Sequence, residues 1–350
     1  MAEYKYHDEI TKQNILKMRA VLETLPPFCV QYFMGIQEYT SARTRLAYAY
    51  DIRVFFEYLH EHCTLCSEQE IKTYELKLLE SVKKDDIEAF LNHVSYYTKE
   101  EKEITNNERG KSRKLSSIKS LYNYFFISEK IEKNPAALVK TPKLHEKEII
   151  KLEPNEVASL LDLVEAGDKL TKKELEYHAK TKVRDIALLT LLLGTGIRVS
   201  ECVGLDVDDV DFEIGGIRII RKGGYEAVIY FGDEVEIALL DYIEQREYMN
   251  AYEGHEDALF LSLQNKRISV RSVEKLVKKY ASRVTAFKNI TPHKLRSTYG
   301  TSLYQETGDI YLVADVLGHK DVNTTRKHYA AQADSRRRAA ANKVTLREKD

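Results

Sequence analysis

The sequence predicts a mostly α-helical protein in two domains, with one small antiparallel β-sheet in the second. Three observations carry this. Several runs repeat apolar residues every three to four positions, the period of an amphipathic helix. One stretch, IRII–KGG–YEAVIYF at 217–231, reads as strand, turn, strand. A chain of 350 residues exceeds a single ordinary domain, and the Pro- and Lys-bearing segment KNPAALVKTPKLHEKEIIKLEP has no strong periodicity, so it reads as a connection.

Taken in order, residues 1–27 form a leader whose EITKQNILKMRAVLETL run is an amphipathic helix ended by Pro26 and Pro27. Residues 28–140 read as all-helical. ARTRLAYAYDIRVFFEYLHEH, DDIEAFLNHVSYYTK and ERGKSRKLSSIKSLYNYFFISEKI are its main helices. The last has a basic front of Arg109, Lys111, Arg113 and Lys114 and an apolar back of Leu121, Tyr122, Phe125 and Phe126. Such a helix packs on one side and can touch phosphates on the other, although a merely solvated front fits the sequence equally well. Residues 141–151 are the linker and 152–330 the second domain. There DIALLTLLLGTGIRVSE reads as a buried helix broken by Gly194 and Gly196, then a new helix carrying Arg198 and Glu201 on one face. Pro292 suits a helix start with Thr291 as its cap, which puts His293 and Arg296 on one helix face. Asp321 to Thr325 reads as another helix entry after a Gly318–His319 turn. Residues 331–350 form a polar, alanine-rich tail helix or a frayed terminus.

Composition sets outer bounds. Hydrophobic residues make up 43% and charged residues 31%, as in ordinary globular proteins. No apolar run is long enough for a membrane span and the N-terminus lacks the apolar stretch of a signal peptide, so a cytoplasmic location is expected. Four cysteines in so long a chain are not a disulfide framework. His60, His62, Cys63 and Cys66 have zinc-ligand types, but no second, distant pair accompanies them, and the segment reads as a helix end and loop. The formal net charge of -1 weighs against a uniformly basic nucleic-acid binder. Basic residues need dominate only the contacting face, with DVDDVDFE (206–213) and KDDIEAF (84–90) turned away from it.

The chemistry concentrates in the last part of the chain. Arg198 sits in GTGIRVSE, Lys222 in RKGGY, His293 and Arg296 in TPHKLRSTYG, His319 in GHKDVNTT and Tyr329 in TTRKHYA. Two arginines, a lysine and two histidines around a tyrosine suit a nucleophile aimed at a phosphate whose developing charge must be neutralised. Taken singly, each has an ordinary reading: a surface Arg198–Glu201 ion pair, a solvated turn lysine, a helix-capping His293, a C-cap His319, one tyrosine among 23. Order and context together favour catalysis.

In those motifs the chain resembles the tyrosine recombinases of the phage integrase family, and within it the Xer-type, single-protein recombinases, whose start the LETLPPF leader also resembles. The resemblance covers roughly residues 28 to 340 and is specific over the second half. It implies a two-domain DNA clamp, made of a helical SAM-like core-binding domain and a catalytic domain. Thr40, Arg45 and the TNNERGKSR run fall in DNA-facing positions. It also implies cleavage by Tyr329 to a 3′-phosphotyrosyl enzyme and a free 5′-hydroxyl. Arg198, Arg296 and His319 would serve the phosphate, His293 would be the base and Lys222 the acid. No metal or ATP is called for, because the bond energy is kept in the phosphotyrosyl link. Four protomers assemble on two double-stranded DNA sites, and the tail, with Ala339, Ala340, Val344 and Leu346, docks on a neighbour. Chromosome dimer resolution and mobile-element integration both remain open. So do relaxation by a type IB topoisomerase and a non-enzymatic DNA-binding regulator. Two departures from the family pattern are Ser297 after the HxxR arginine, where His is frequent, and Tyr329 ten residues after His319, with His328 at nine.

Overall fold

The computed structural model describes residues 5–63, 66–143, 149–221, 224–319, 321–323 and 325. The chain divides into two compact units, Met1–Lys147 and Glu148–Asp350.

The first unit opens with α1 (Lys5–Leu22) and α2 (Pro27–Gly35), with Pro26 at the N-cap and Pro27 in the first turn of α2. The leader helix is not a detached arm. It lies along α3 (Ala42–His62), and Met18, Val21 and Leu25 join one apolar cluster with Ile52, Phe55, Phe56 and Leu59 of α3. Ser41 caps α3 through the Thr44 amide at 3.2 Å. Then come α4 (Leu78–Ser81) and α5 (Lys84–His93).

Here the all-helical expectation fails. The helix in DDIEAFLNHVSYYTK stops at His93, and β1 (Tyr96–Lys99) pairs antiparallel with β2 (Lys102–Thr105). The turn between them is Glu100–Glu101, both at positive φ (50° and 63°). A two-residue hairpin loop needs this left-handed twist, which is ordinarily supplied by Asn or Gly. The aromatic and β-branched residues Tyr96, Tyr97, Thr98 and Ile104 suit the strands.

α6 (Glu108–Ile127) follows, with the Asn107 side chain accepting from the Gly110 amide at 3.1 Å. Its buried face is Leu115, Ile118, Leu121, Tyr122 and Phe125, whereas Phe126, expected on the apolar back, is exposed. A short 3₁₀ turn, Pro135–Leu138, places Ala136 in the same core.

The second unit begins with α7 (Pro154–Ala166) and α8 (Lys172–Thr195). The last turns of α8, from Ala187 to Leu192, are buried nearly all round, so this is the central helix, packed by α7, by α10 (Asp233–Glu247) and by α12 (Pro292–Thr307). Gly194 does not break it. A Cβ there would stand 2.5 Å from a Val235 methyl, so the glycine lets α10 approach. The break comes at Gly196, which is left-handed (φ 63°). α9 (Val199–Gly204) follows, then a three-stranded antiparallel sheet of β3 (Val210–Asp211), β4 (Gly216–Arg221) and β5 (Tyr225–Tyr230), in that order. The expected hairpin pairs Arg221 with Tyr225, and β3 is an addition. Helices α10 (Asp233–Glu247), α11 (Val270–Val284), α12 (Pro292–Thr307) and α13 (Ile310–Leu317) complete the unit. Among the described residues no helix is long and apolar enough to cross a membrane.

Candidate active site

The site is built where three helix ends meet. α8 ends at Gly196, α12 begins at Pro292, and α13 ends at the left-handed Gly318 (φ 62°). Glycine is required at position 196 twice over: its φ is positive, and a Cβ would come 2.4 Å from the Tyr299 ring and 3.0 Å from Leu317. That close approach brings α12 and α13 onto the end of α8.

Arg296 is the most enclosed of the expected residues, at 4% exposure. It stands one turn into α12, and its Nη1 donates to the Gly196 carbonyl at 2.6 Å while Nη2 donates to the Leu317 carbonyl. A buried guanidinium without such acceptors would be costly, so the left-handed ends of α8 and α13 fix its plane. Arg198, expected on a helix face, is instead the extended N-cap residue of α9. The buried Glu201 carboxylate accepts from its backbone N–H and from its Nη1, both at 2.7 Å. Nη2 donates to the Gly318 carbonyl at 3.3 Å. The Arg198–Glu201 pair is therefore a half-buried support that aims the guanidinium at the α13 end, unlike a free surface ion pair.

His319 follows Gly318. Its amide donates to the Ala314 carbonyl at 2.9 Å and its Nδ1 lies 2.7 Å from the hydroxyl of the fully buried Thr325. The Asp321 carboxylate accepts from the Asn323 amide at 2.9 Å, as at a helix entry. His293 is exposed in the first turn of α12, where Ser297 donates to its carbonyl at 3.1 Å. Thr291 occupies the N-cap position of α12 but makes no side-chain capping bond. Ser297 and Thr298 are buried, and Thr298 receives the Leu152 amide at 3.0 Å, which ties the start of the unit to α12. Arg198, Arg296 and His319 thus converge on one helix end. Lys222 and Tyr329 lie outside the described residues, as does the tail 331–350.

One residue at this end carries no motif. Arg221, the last residue of β4, donates to the Asp315 and Val316 carbonyls at 3.1 and 2.8 Å. Its position next to Lys222 is the signal that could have drawn attention to it.

In the first unit the basic residues are placed unevenly. Arg109 is exposed and Lys111 is half-buried, with its ammonium 3.4 Å from the Ser95 hydroxyl. Arg113 is half-exposed and bound to the buried Asp51, and Lys114 is 6% exposed with its ammonium 3.3 Å from the same carboxylate. Burial pushes the Asp51 carboxyl up, and Lys114 and Arg113 draw it back down. Arg45 is buried and donates to the Gln37 and Thr40 carbonyls at 2.9 and 2.5 Å, and Thr40 donates to the Ile36 carbonyl at 2.5 Å. Thr40, Arg45 and Lys114 therefore serve the interior with the groups expected to face outward.

In the possible zinc segment, His60 Nδ1 lies 3.2 Å from the Cys66 carbonyl and 3.0 Å from the Tyr74 hydroxyl, and His62 stacks on Tyr58. Burial, then Cys63, pushes the Cys66 thiol up to about 12. Among the described residues no three His, Cys, Asp or Glu side chains are grouped to hold a metal ion.

Comparison with known proteins agrees with this architecture. Residues 151–336 match the model of the phage integrase family. The chain is 33% identical to tyrosine recombinase XerC of Caldanaerobacter subterraneus subsp. tengcongensis, over 97% of this chain and 90% of that protein. It is 30% identical to tyrosine recombinase XerS of Streptococcus agalactiae, over 88% and 93%. Among solved structures it resembles the XerH site-specific recombinase bound to its palindromic difH substrate after cleavage (TM-score 0.64, 19% identity, 87% and 80% covered). It also resembles the Tn1549 transposon integrase in complex with circular intermediate DNA (TM-score 0.63, 21% identity, 89% and 98% covered). With the family model covering more than half of the chain, and arginines from two distant motifs converging on one helix end, the chain belongs to the phage integrase family and is a tyrosine-type site-specific recombinase.

Proposed function

We propose that this recombinase cuts and rejoins double-stranded DNA through Tyr329, with Arg198, Arg296 and His319 as donors to the scissile phosphate. The phenol oxygen of Tyr329 attacks phosphorus and its proton passes to His293. The bond from phosphorus to the 5′ oxygen breaks, and that oxygen takes a proton from Lys222. A 3′-phosphotyrosyl enzyme and a free 5′-hydroxyl result. A 5′-hydroxyl from a partner duplex then attacks the same phosphorus, the tyrosine leaves, and strands are exchanged. Each guanidinium can give several N–H donors to the non-bridging oxygens, whose charge grows in the pentacoordinate transition state. The convergence of Arg198, Arg296 and His319 on the end of α13 is the observation that supports this assignment.

The protein works in the cytoplasm as four protomers on two double-stranded DNA sites. Arg109 and Lys111 supply phosphate contacts from the first unit, and Asp51 steadies Arg113 beside them. Chromosome dimer resolution is the preferred role, because the relatives matched over most of their length include the tyrosine recombinases XerC and XerS. Strand exchange that requires two sites separates this activity from relaxation by a topoisomerase.

The first test is incubation with candidate-site duplex in EDTA, denaturation and mass spectrometry of DNA-linked peptides. An adduct on Tyr329, absent from Tyr329→Phe, is expected, and chelation leaves its yield unchanged. An undiminished adduct in Tyr329→Phe would place the nucleophile elsewhere, and loss of the adduct in EDTA would demand a metal.

A further inference from the structure

The end of α13 is shared by three guanidiniums, and the third has no place in the motifs. Arg221 takes the Asp315 and Val316 carbonyls, Arg296 takes that of Leu317, and Arg198 takes that of Gly318. Four successive carbonyls are thus divided among side chains from β4, α12 and the cap of α9. The last carbonyls of a helix have no partner within it and lie at the negative end of its dipole, so they attract cations.

A second observation is independent of these hydrogen bonds. Arg221 lies directly over Gly318: a Cβ at that glycine would fall 2.2 Å from Nη1, 2.5 Å from Cζ and 2.8 Å from Nε. The Nε is buried and, among the described residues, has no hydrogen-bond partner, so packing on the glycine, together with the two terminal nitrogens, holds the group. Burial, and next to it the charge of Arg198, works against the Arg221 cation, while Glu201 and Asp315 favour it. Crowding a third cation here is an arrangement that a solvated arginine at the end of a strand would avoid.

We infer that Arg221 is a positioning residue for DNA cleavage: it pins the end of β4 to the Gly318–His319 turn, so that Arg198 and His319 meet the phosphate in one fixed arrangement. Arg221 touches no reacting atom. Its role depends on the proposed part of Arg198 and His319 as phosphate donors.

The test is the single-turnover rate of covalent adduct formation, at saturating protein. The probe is a nicked duplex carrying the sequence that the wild-type protein selects from a random-sequence library. Arg221→Ala slows adduct formation about tenfold or more, while affinity for the duplex changes by about twofold or less. Arg221→Lys keeps the charge but reaches fewer carbonyls, and recovers part of the rate. In the His319→Ala background, Arg221→Ala costs a much smaller factor, as expected for residues acting as a unit. A wild-type rate in Arg221→Ala, a loss confined to affinity, or the same loss beside a slow His319→Ala would overturn the role. If Arg221→Ala does not fold, Arg221→Lys takes its place in the cycle under the same criteria. A His319→Ala of wild-type rate beside a slow Arg221→Ala would remove His319 from the phosphate, and the cycle is then closed on Arg198→Ala. A slow His319→Ala beside a fast Arg221→Ala would leave the catalytic assignment standing and end the positioning role.

Discussion

Both units gather cations around something buried, and they do it differently. In the first, Arg113 and Lys114 share the Asp51 carboxylate, a full negative charge. In the second, three guanidiniums lean on five backbone carbonyls and on one carboxylate, Glu201. A carbonyl satisfies N–H donors without cancelling their charge, so the second arrangement keeps most of its positive potential for an incoming anion. A carboxylate orients its partners and neutralises them together. The first arrangement thus steadies a surface, and the second, on the function proposed, would hold charge ready for a phosphate that becomes more negative as it reacts.

The largest expected effect lies in the second arrangement. Arg198→Ala and Arg296→Ala should each slow adduct formation by about 10²–10³-fold or more, the usual loss when a donor to a developing oxyanion is removed. Rapid-quench kinetics on a nicked duplex would measure this, and near-normal rates would mean that the carbonyl-held charge is structural. Arg296→Ala also strands the Gly196 and Leu317 carbonyls, so its folding should be compared by circular dichroism.

The second effect breaks the first arrangement. Asp51→Asn leaves the buried Lys114 ammonium without its countercharge, which should destabilise the first unit by about 3–5 kcal/mol. Urea unfolding followed by tyrosine fluorescence would report it. A change under about 1 kcal/mol would show that Lys114 escapes to water and that the pair is not the anchor described.

The smallest effect is a pH dependence away from both clusters. Glu174 accepts from the Thr171 amide and hydroxyl and pairs with Arg283, and these bonds, the Thr171 amide first, hold its carboxyl down at about 2. Because the folded pKa is depressed, the stabilisation is complete above about pH 4.5 and fades as pH falls toward about 2. The difference in melting temperature between wild type and Glu174→Gln should therefore shrink on acidification below about pH 4.5. A constant difference from pH 7 to 3 would contradict the assigned bonds.

How much of this was legible beforehand differs by element. The helices were, because apolar residues at three-to-four spacing face a core whatever that core contains; α3 and α6 are examples. The β1–β2 hairpin was not, since Glu100 and Glu101 are not residues that announce a left-handed turn and Tyr97 continues the helical spacing of Ile87, Phe90 and Val94. Gly194 and Gly196 look alike in sequence, yet one admits a neighbouring helix and the other ends its own. At the candidate site, the motifs single out Arg198, Arg296 and His319, and the structure brings these three to one helix end. What they bind is hidden in the sequence, because backbone carbonyls carry no residue identity, and for the same reason no motif marks Arg221. In the first unit the basic residues were visible but their direction was not: sequence records the charge of Lys114 and Arg45, while burial decides which way each side chain points.

The shortness of α13 has a consequence for how the site can be watched. Eight residues are fewer than the roughly 12–15 that an isolated helix needs in water. Its end persists because side chains from three remote parts of the second unit hold it. The amides of Gly318 and His319, which donate to the Asp315 and Ala314 carbonyls, are therefore natural clocks. Their hydrogen–deuterium exchange is expected to run at the pace at which the arginine cluster comes apart, so two backbone protons would time the assembly of the proposed phosphate site without any substrate present.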